Sequence, residues 1–493
     1  MSEPRQVPAQ PSSTMQWVVL AVALAVIAAT ILVVVTGPTA APGDVSDRAG
    51  TGSGATTTPG PSVPSSPSAS PTDRSSEPRE PAAPVLAALE PGRSATRAGV
   101  ADRLRPLLGN PAVGTRIGAA VLDPATDELL LDVDAAGAHV PASTTKVLTA
   151  LAALEALGPD TRFRTTVVQA GGRVVLVGGG DPALSQRVEV TDGWDYPFTA
   201  FDRLARATAD ELLAAGTTTV RLGYAGDLFA GPSVNPAWEP GYVASGQVAP
   251  VSALSLDGGR ARPGFAPRAG DPARFAADRF AALLGASGVR VDGAPTAQAT
   301  PAGALLASAE SPTVAEIVGQ MLARSDNDVA EMLARHVARA EGAEPTFVGG
   351  GTAIRAVLDR LGVPTAGLVL ADGSGLSRRN RISAVTLARS LEHAYEDGDG
   401  SSTSLLTGLP VAGFTGTLDD RFADAESRVE AGDIRAKTGF LTGVVALAGY
   451  VVDADGRPLI FVVLADGVAP TSTLDAQLTI DRLTARLAGC GCS

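Results

Sequence analysis

The sequence predicts an α/β fold of the α+β kind, with strands near both ends of one folded region and helices between them. Three observations lead there. Short apolar stretches bounded by turn residues read as paired strands at 116–123 and 128–134, and again at 444–453 and 459–465. The span between them is mainly helical in its apolar spacing. A segment at about 166–300 has a different character and is expected to be an inserted smaller module.

Taken in chain order, residues 1–16 form a short tail. Residues 17–36 (WVVLAVALAVIAATILVVVT) carry no charge and, as a helix, would reach roughly the 30 Å of a bilayer core. An uncleaved single-span membrane anchor is expected there; a removed signal peptide is the alternative, and either puts the rest of the chain outside the cytoplasm. Residues 37–84 hold ten Pro, nine Ser, six Thr and six Gly, with only Val45 and Val63 large and apolar. Such a stretch buries too little surface to offset its entropy and is expected to stay disordered, averaging about 40 Å end to end.

Folded patterning resumes near Val85. After the first strand pair, joined by the turn DPATDE, residues 142–157 read as a helix ended by Gly158-Pro159. The segment 85–165 is the first part of the main domain. Within 166–300, a helix, a Gly and a strand occur twice, at 201–216 before TTTVRLGY and at 274–288 before VRV. The main domain returns over 301–489, closing with the second strand pair around Asp455-Gly456 and a helix at 474–487. Cys490 and Cys492 lie in a tail expected to fray, too close for an easy bond to each other in extended chain.

Composition removes several classes. With 45% hydrophobic residues, 18% charged residues and a net charge of −13, the chain is neither collagen, coiled coil nor wholly disordered. The negative sum offers nucleic acid no electrostatic attraction. Two cysteines cannot frame a zinc site, and His139, His336 and His393 stand in unrelated contexts.

Of 39 basic residues only Lys146 and Lys437 are Lys. The bland reading is base composition and chance survival; the sharper one is that these two sites need what a guanidinium cannot do, namely lose its proton. Lys146 lies in Ser143-Thr144-Thr145-Lys146. On a helix, i and i+3 share a face, so the Ser143 hydroxyl and the Lys146 amine can meet. A desolvated lysine near a second cation can be neutral enough to activate that serine. The bland alternative makes Ser143 a helix cap. Lys437 opens Lys437-Thr438-Gly439, just before the strand expected at Val444. Ser325-Asp326-Asn327 sits between two apolar helical stretches, as a loop projecting into a cleft or as an ordinary cap. Both lysines falling in these contexts by chance is on the order of one in a thousand.

Ser-x-x-Lys, Ser-x-Asn and Lys-Thr-Gly, in that order, resemble the penicillin-recognising serine DD-peptidases and β-lactamases. Further segments are similar to the class C low-molecular-mass penicillin-binding proteins, the D-alanyl-D-alanine carboxypeptidase/endopeptidase group. These are Gly178-Gly179-Gly180-Asp181-Pro182-Ala183-Leu184, Pro250-Val251-Ser252-Ala253-Leu254-Ser255, and Asp372-Gly373-Ser374-Gly375-Leu376-Ser377-Arg378 followed by Asn380-Arg381-Ile382-Ser383. Alone, each reads as a Gly-rich turn.

The resemblance implies a serine β-lactamase/transpeptidase-like domain, an antiparallel sheet flanked by helices with a helical cluster. It implies cleavage of D-Ala-D-Ala stem peptides or cross-links of peptidoglycan, β-lactams as covalent inhibitors, and neither metal nor cofactor. By the family's roles, Ser143 is the nucleophile and Lys146 its base. Ser325 with Lys437 passes a proton to the leaving amine, and Asn327 holds the substrate amide and Lys146. Lys437 and Thr438 hold the substrate carboxylate on the Lys-Thr-Gly439 strand, and the N–H groups of Ser143 and Phe440 hold the oxyanion. Phe440 departs from the Ser or Thr of many relatives.

Rival readings fare worse. A β-lactamase of the commonest class needs a Glu-x-x-Leu-Asn segment, which is missing. A non-enzymatic anchored β-lactam or wall-binding sensor would need more than a 16-residue tail. No Gly-x-Ser-x-Gly or P-loop occurs, and Gly349-Gly350-Gly351 is expected as a turn leading into a helix.

Overall fold

The computed structural model describes residues 95–186, 197–260, 267–397 and 400–492. In chain order it contains helix α1 (Arg97–Leu108), strands β1 (Ile117–Asp123) and β2 (Glu128–Val133), and helix α2 (Thr145–Leu157). Then come β3 (Arg162–Ala170), β4 (Arg173–Val177), α3 (Phe201–Ala214), β5 (Leu222–Ala225), α4 (Pro272–Ala286), β6 (Thr296–Ala297) and β7 (Ala304–Thr313). The helices α5 (Val314–Arg324), α6 (Asn327–Ala340), α7 (Phe347–Arg360), α8 (Ala384–Glu396) and α9 (Thr403–Thr407) follow. Strands β8 (Ile434–Leu441), β9 (Val444–Val452) and β10 (Pro458–Ala465) and helix α10 (Thr473–Ala488) close the chain.

One five-stranded sheet runs β8-β9-β10-β1-β2, so strands from the two ends of the sequence meet where β1 pairs antiparallel with β10, Ile117 opposite Ala465. Side chains alternate faces along a strand, and this sheet is covered on both. Ala120, Leu122, Ala446, Ala448, Ile460, Val462 and Leu464 pack on the helical cluster of α2, α5, α6, α7 and α8. Ala119, Val121, Val445, Leu447, Phe461 and Val463 pack on α1 and α10. Helix α2 is mainly apolar and lies at the centre of the first core, with Thr145 to Leu154 all buried.

A second five-stranded sheet, β6-β5-β4-β3-β7, has its own core with Phe201 of α3 against Phe280 of α4. Its strand β3 begins at Arg162, before residue 166, and its strand β7 lies wholly beyond residue 300.

Several expectations are refined. The expected helix at 142–157 opens as a 3-10 turn, Ala142–Thr144, before α2 proper. Lys437 does not precede the first C-terminal strand: it lies inside β8, an extra edge strand whose interruption by Lys, Thr and Gly hid it from apolar patterning. Gly349 to Gly351 lie within α7, with Thr346 as its cap, and not in a turn. The C-terminal tail is not frayed. Cys490 and Cys492 are buried and joined as a disulfide, and Cys492 O accepts from Thr96 N at 2.8 Å. Among the described residues no helix is long and apolar enough to cross a membrane; the span expected at 17–36 lies outside them.

Gly449 on β9 lets β8 approach: a Cβ there would lie 2.0 Å from Arg435 O. Gly449→Ala is expected to cost about 1–3 kcal/mol, read as a lowered melting temperature.

Candidate active site

The start of α2, the joint between α5 and α6, the 372–380 loop and strand β8 converge on one point. The backbone is held there in uncommon conformations. Ala142, just before Ser143, has φ 48°, and Ser325 has φ 55°. Non-glycine residues rarely adopt the left-handed region, and do so where surrounding structure over-determines them. Ser325 ends α5 in that conformation, and Asp326 caps α6 by accepting from Asp328 N at 2.8 Å and Val329 N at 3.2 Å. The two helices are thereby broken so that Ser325 and Asn327 flank the joint. The Ser-Asp-Asn loop reading and the capping reading both hold, on different residues.

Lys146 is fully buried and uses all three of its N–H donors. Its Nζ donates to Ser143 Oγ at 3.1 Å, Asn327 Oδ1 at 2.7 Å and Ser374 O at 2.7 Å. Ser143 therefore faces the lysine and does not cap the helix. Asn327 Nδ2 donates to Gln247 O at 2.8 Å, which fixes its amide with Oδ1 toward the lysine. Burial pushes the Lys146 ammonium down to about 8, against the opposing pull of Asp372, Asp326, Glu331 and Asp328.

Lys437 is equally buried. Alternation along β8 puts Ile434 and Ala436 on the α10 side and Lys437 on the opposite side, toward the helical cluster. Its Nζ donates to Ser325 Oγ and to Thr438 O, each at 2.9 Å. Burial pushes its pKa well below the usual lysine value, with the charge of Lys146 and then Arg421 adding to the effect. Thr438 Oγ1 donates to Thr417 Oγ1 at 3.0 Å. Gly439 is required by contact: a Cβ there would lie 2.7 Å from Pro141 O and 3.3 Å from Thr144 Cγ2.

Phe440 is an exposed side chain, but its backbone is well placed. Val452 N donates to Asp433 O across the sheet, whereas Ile434 O and Ala436 N bond outward, to Ala412 N and Pro410 O. Polar groups alternate sides along an antiparallel strand. The N–H of Phe440, in step with 434 and 436, thus faces the open edge of the sheet.

Sequence reasoning assigned no role to several residues that hold this arrangement. The 372–380 loop is closed by buried Asp372, which accepts from Trp238 Nε1, Gly375 N, Ser377 N and Asn380 Nδ2 at 2.6–2.9 Å. Gly375, at φ 87°, lies so close to Ala142 that a Cβ would meet its carbonyl oxygen at 1.9 Å. Ser374 then presents its carbonyl to Lys146. The motif was visible as a Gly-rich segment; a backbone carbonyl as ligand leaves no signal in residue identity. The Gln247 carbonyl is hidden for the same reason, and Thr417, which acts through its hydroxyl, lies outside every motif.

Comparisons with known proteins show the family of the chain. The D-Ala-D-Ala carboxypeptidase 3 (S13) family matches residues 100–272 and 264–487. A carboxypeptidase DacB of Mycolicibacterium smegmatis is 37% identical over 426 residues, covering 84% of this chain and 90% of the relative. A D-alanyl-D-alanine carboxypeptidase of an Actinomadura species is 30% identical over 455 residues, covering 78% and 83%. Penicillin binding protein 4 of Haemophilus influenzae shares the fold, with a TM-score of 0.63 and 22% identity over 78% of this chain and 97% of that one. The family and the transpeptidase-like fold expected from the motifs are borne out. These matches favour a DD-peptidase over a β-lactamase or a wall-binding sensor, and the chain belongs to the D-Ala-D-Ala carboxypeptidase 3 (S13) family of enzymes.

Proposed function

We propose that this DD-peptidase works through an acyl-enzyme on Ser143, acting on D-Ala-D-Ala stem peptides or cross-links of peptidoglycan and inhibited covalently by β-lactams. The observation that carries the reading is the pairing of both lysines with serines around one cleft, Lys146 with Ser143 and Lys437 with Ser325.

When Lys146 loses a proton it keeps two N–H groups and gains a lone pair. Asn327 Oδ1 and the Ser374 carbonyl are acceptors only, so they take the two N–H groups and leave the lone pair to the Ser143 hydroxyl. Ser143 Oγ attacks the carbonyl between the two D-alanines as its proton passes to Lys146. The N–H groups of Ser143 and Phe440 stabilise the oxyanion. As the C–N bond breaks, Ser325, backed by Lys437, delivers a proton to the leaving amine. Water then hydrolyses the ester, its proton restoring the Ser143 hydroxyl, and the proton left on Lys146 makes good the one that Ser325 and Lys437 gave to the amine. Lys437, Thr438 and Gly439 form the strand against which the substrate lies, with Lys437 and Thr438 attracting its carboxylate and Asn327 its amide. This chemistry needs no metal or cofactor. Residues 17–36 would anchor the enzyme in the membrane, and 37–84 would tether the catalytic domain on the extracytoplasmic side, where peptidoglycan lies.

The first test is intact mass with and without benzylpenicillin. A long-lived adduct of one penicillin, absent in Ser143→Ala, is expected, together with D-alanine release from a D-Ala-D-Ala peptide; penicillin hydrolysed without an adduct would sink the peptidase reading. Lys146→Arg, which cannot become a base near neutrality, is expected to abolish acylation, and retained activity would remove Lys146 from the role. Below about pH 8 Lys146 is charged and has no lone pair, so the second-order rate of acylation should rise with pH and level off above about 8. Phe440→Ala should leave acylation within about threefold, because the N–H remains, whereas Phe440→Pro removes it and should cost about 100-fold or more.

A further inference from the structure

Helix α6 holds Lys146 by two routes. Asn327 at its first turn accepts from the lysine directly. One turn on, at i+4 and on the same face, Glu331 reaches the 372–380 loop. Its Oε1 accepts from Ser374 N at 2.9 Å, and Gly373 N approaches Oε2 at 3.4 Å. The same Ser374 turns its carbonyl to Lys146 Nζ at 2.7 Å. Glu331 is 1% exposed, so no bulk water competes for its oxygens.

We propose that Glu331 is a positioning residue for acylation: by holding the Gly373 and Ser374 N–H groups, it sets the Ser374 carbonyl that aims the Lys146 amine at Ser143. The inference rests on the reading of Ser143 and Lys146 as nucleophile and base.

Two alternatives explain less. As a simple partner for Arg335, Glu331 makes a loose pair: Arg335 Nη1 lies 3.9 Å from Oε2, and its guanidinium stacks at 4.0 Å over the Phe347 ring. As filler, a carboxylate in this core carries a desolvation penalty that an apolar side chain would avoid. The only other side chain that holds this peptide among the described residues is Thr149, whose Oγ1 donates to Gly373 O at 2.7 Å; the N–H groups of Gly373 and Ser374 are left to Glu331, since Asp372 is committed to Trp238, Gly375, Ser377 and Asn380.

The carboxylate acts through charge as well as through hydrogen bonds. Facing Glu331 are Asp372 of the loop and Arg335 of its own helix; burial first, and then Asp372, push it up to about 7. Facing Lys146 are Asp372, Asp326, Glu331 and Asp328, all favouring its charged form, and Lys437 beyond Ser325. Removing the Glu331 charge therefore lowers the pH at which Lys146 becomes a base. Losing the N–H acceptors lets the Ser374 carbonyl drift, and misplacement of about 1 Å costs on the order of a hundredfold in rate.

The test measures benzylpenicillin acylation of the full-length protein across pH, with rates normalised to the acylatable fraction found by mass. Glu331→Gln should move the midpoint below that of the wild type and lower the high-pH plateau. Glu331→Ala should move it likewise and lower the plateau by about a hundredfold. A purely structural role would shrink the acylatable fraction or the melting temperature and leave midpoint and plateau unchanged; that outcome overturns the inference. If either single variant fails to fold, Glu331→Gln with Arg335→Met leaves no unpaired charge in the core and must show the same shift and loss. A wild-type enzyme with no adduct on Ser143, or no rise toward pH 8, would instead overturn the underlying assignment of nucleophile and base.

Discussion

Two lysine side chains are fully buried where four segments converge, and the rest of the site is built to tolerate them. Taking a charged amine out of water is unfavourable by several kcal/mol unless its donors are met. Lys146 meets that condition with a serine hydroxyl, a side-chain amide and a backbone carbonyl, each from a different segment. Those three partners require α2, α6 and the 372–380 loop to meet within one hydrogen-bond radius. Lys437 brings β8 to the same place. If any of the four were displaced, a donor would be left unmet in the core.

The surrounding carboxylates balance this arrangement without neutralising it. Asp372, Asp326, Glu331 and Asp328 each favour the charged lysine, yet burial outweighs them and leaves Lys146 near 8, low enough to serve as a base. All four also do mechanical work: Asp326 caps α6 and Glu331 accepts from Ser374 N. Asp372 closes the loop that carries Ser374, and Asp328 accepts from Ala249 N at 2.7 Å, two residues from the Gln247 carbonyl that orients Asn327. An arginine at 146 would keep its charge and could supply no lone pair; under the proposed mechanism that is the reason for a lysine in a chain that otherwise relies on arginine.

Close approach of main chain to main chain lets these segments meet. Gly439 sits against Pro141 and Thr144, and Gly375 against Ala142, so the Lys-Thr-Gly strand and the 372–380 loop clasp the turn that carries Ser143. Held from both sides, Ala142 adopts its left-handed conformation, and the Ser143 hydroxyl is presented to the lysine one turn on.

By itself the sequence determined the α+β class, because period-two apolar runs and helical runs are local patterns. It determined the strands 117–123 and 444–452 and the helices around Lys146 and after Thr473 to within a residue or three. It also singled out Ser143, Lys146 and Lys437, because lysine was rare enough for its contexts to stand out, and Ser325 and Asn327 as the polar triplet that lies in order between them. Strand β8 escaped, since its polar Lys-Thr-Gly segment breaks the apolar pattern that marks a strand. The burial of the Cys490–Cys492 tail escaped too, because its partner, Thr96, lies at the other end of the folded region. Only the tertiary structure decided that Ser374 and Gln247 complete the site. They act through backbone carbonyls that every residue possesses, so their roles depend on position in space, which chain crossings hundreds of residues apart create.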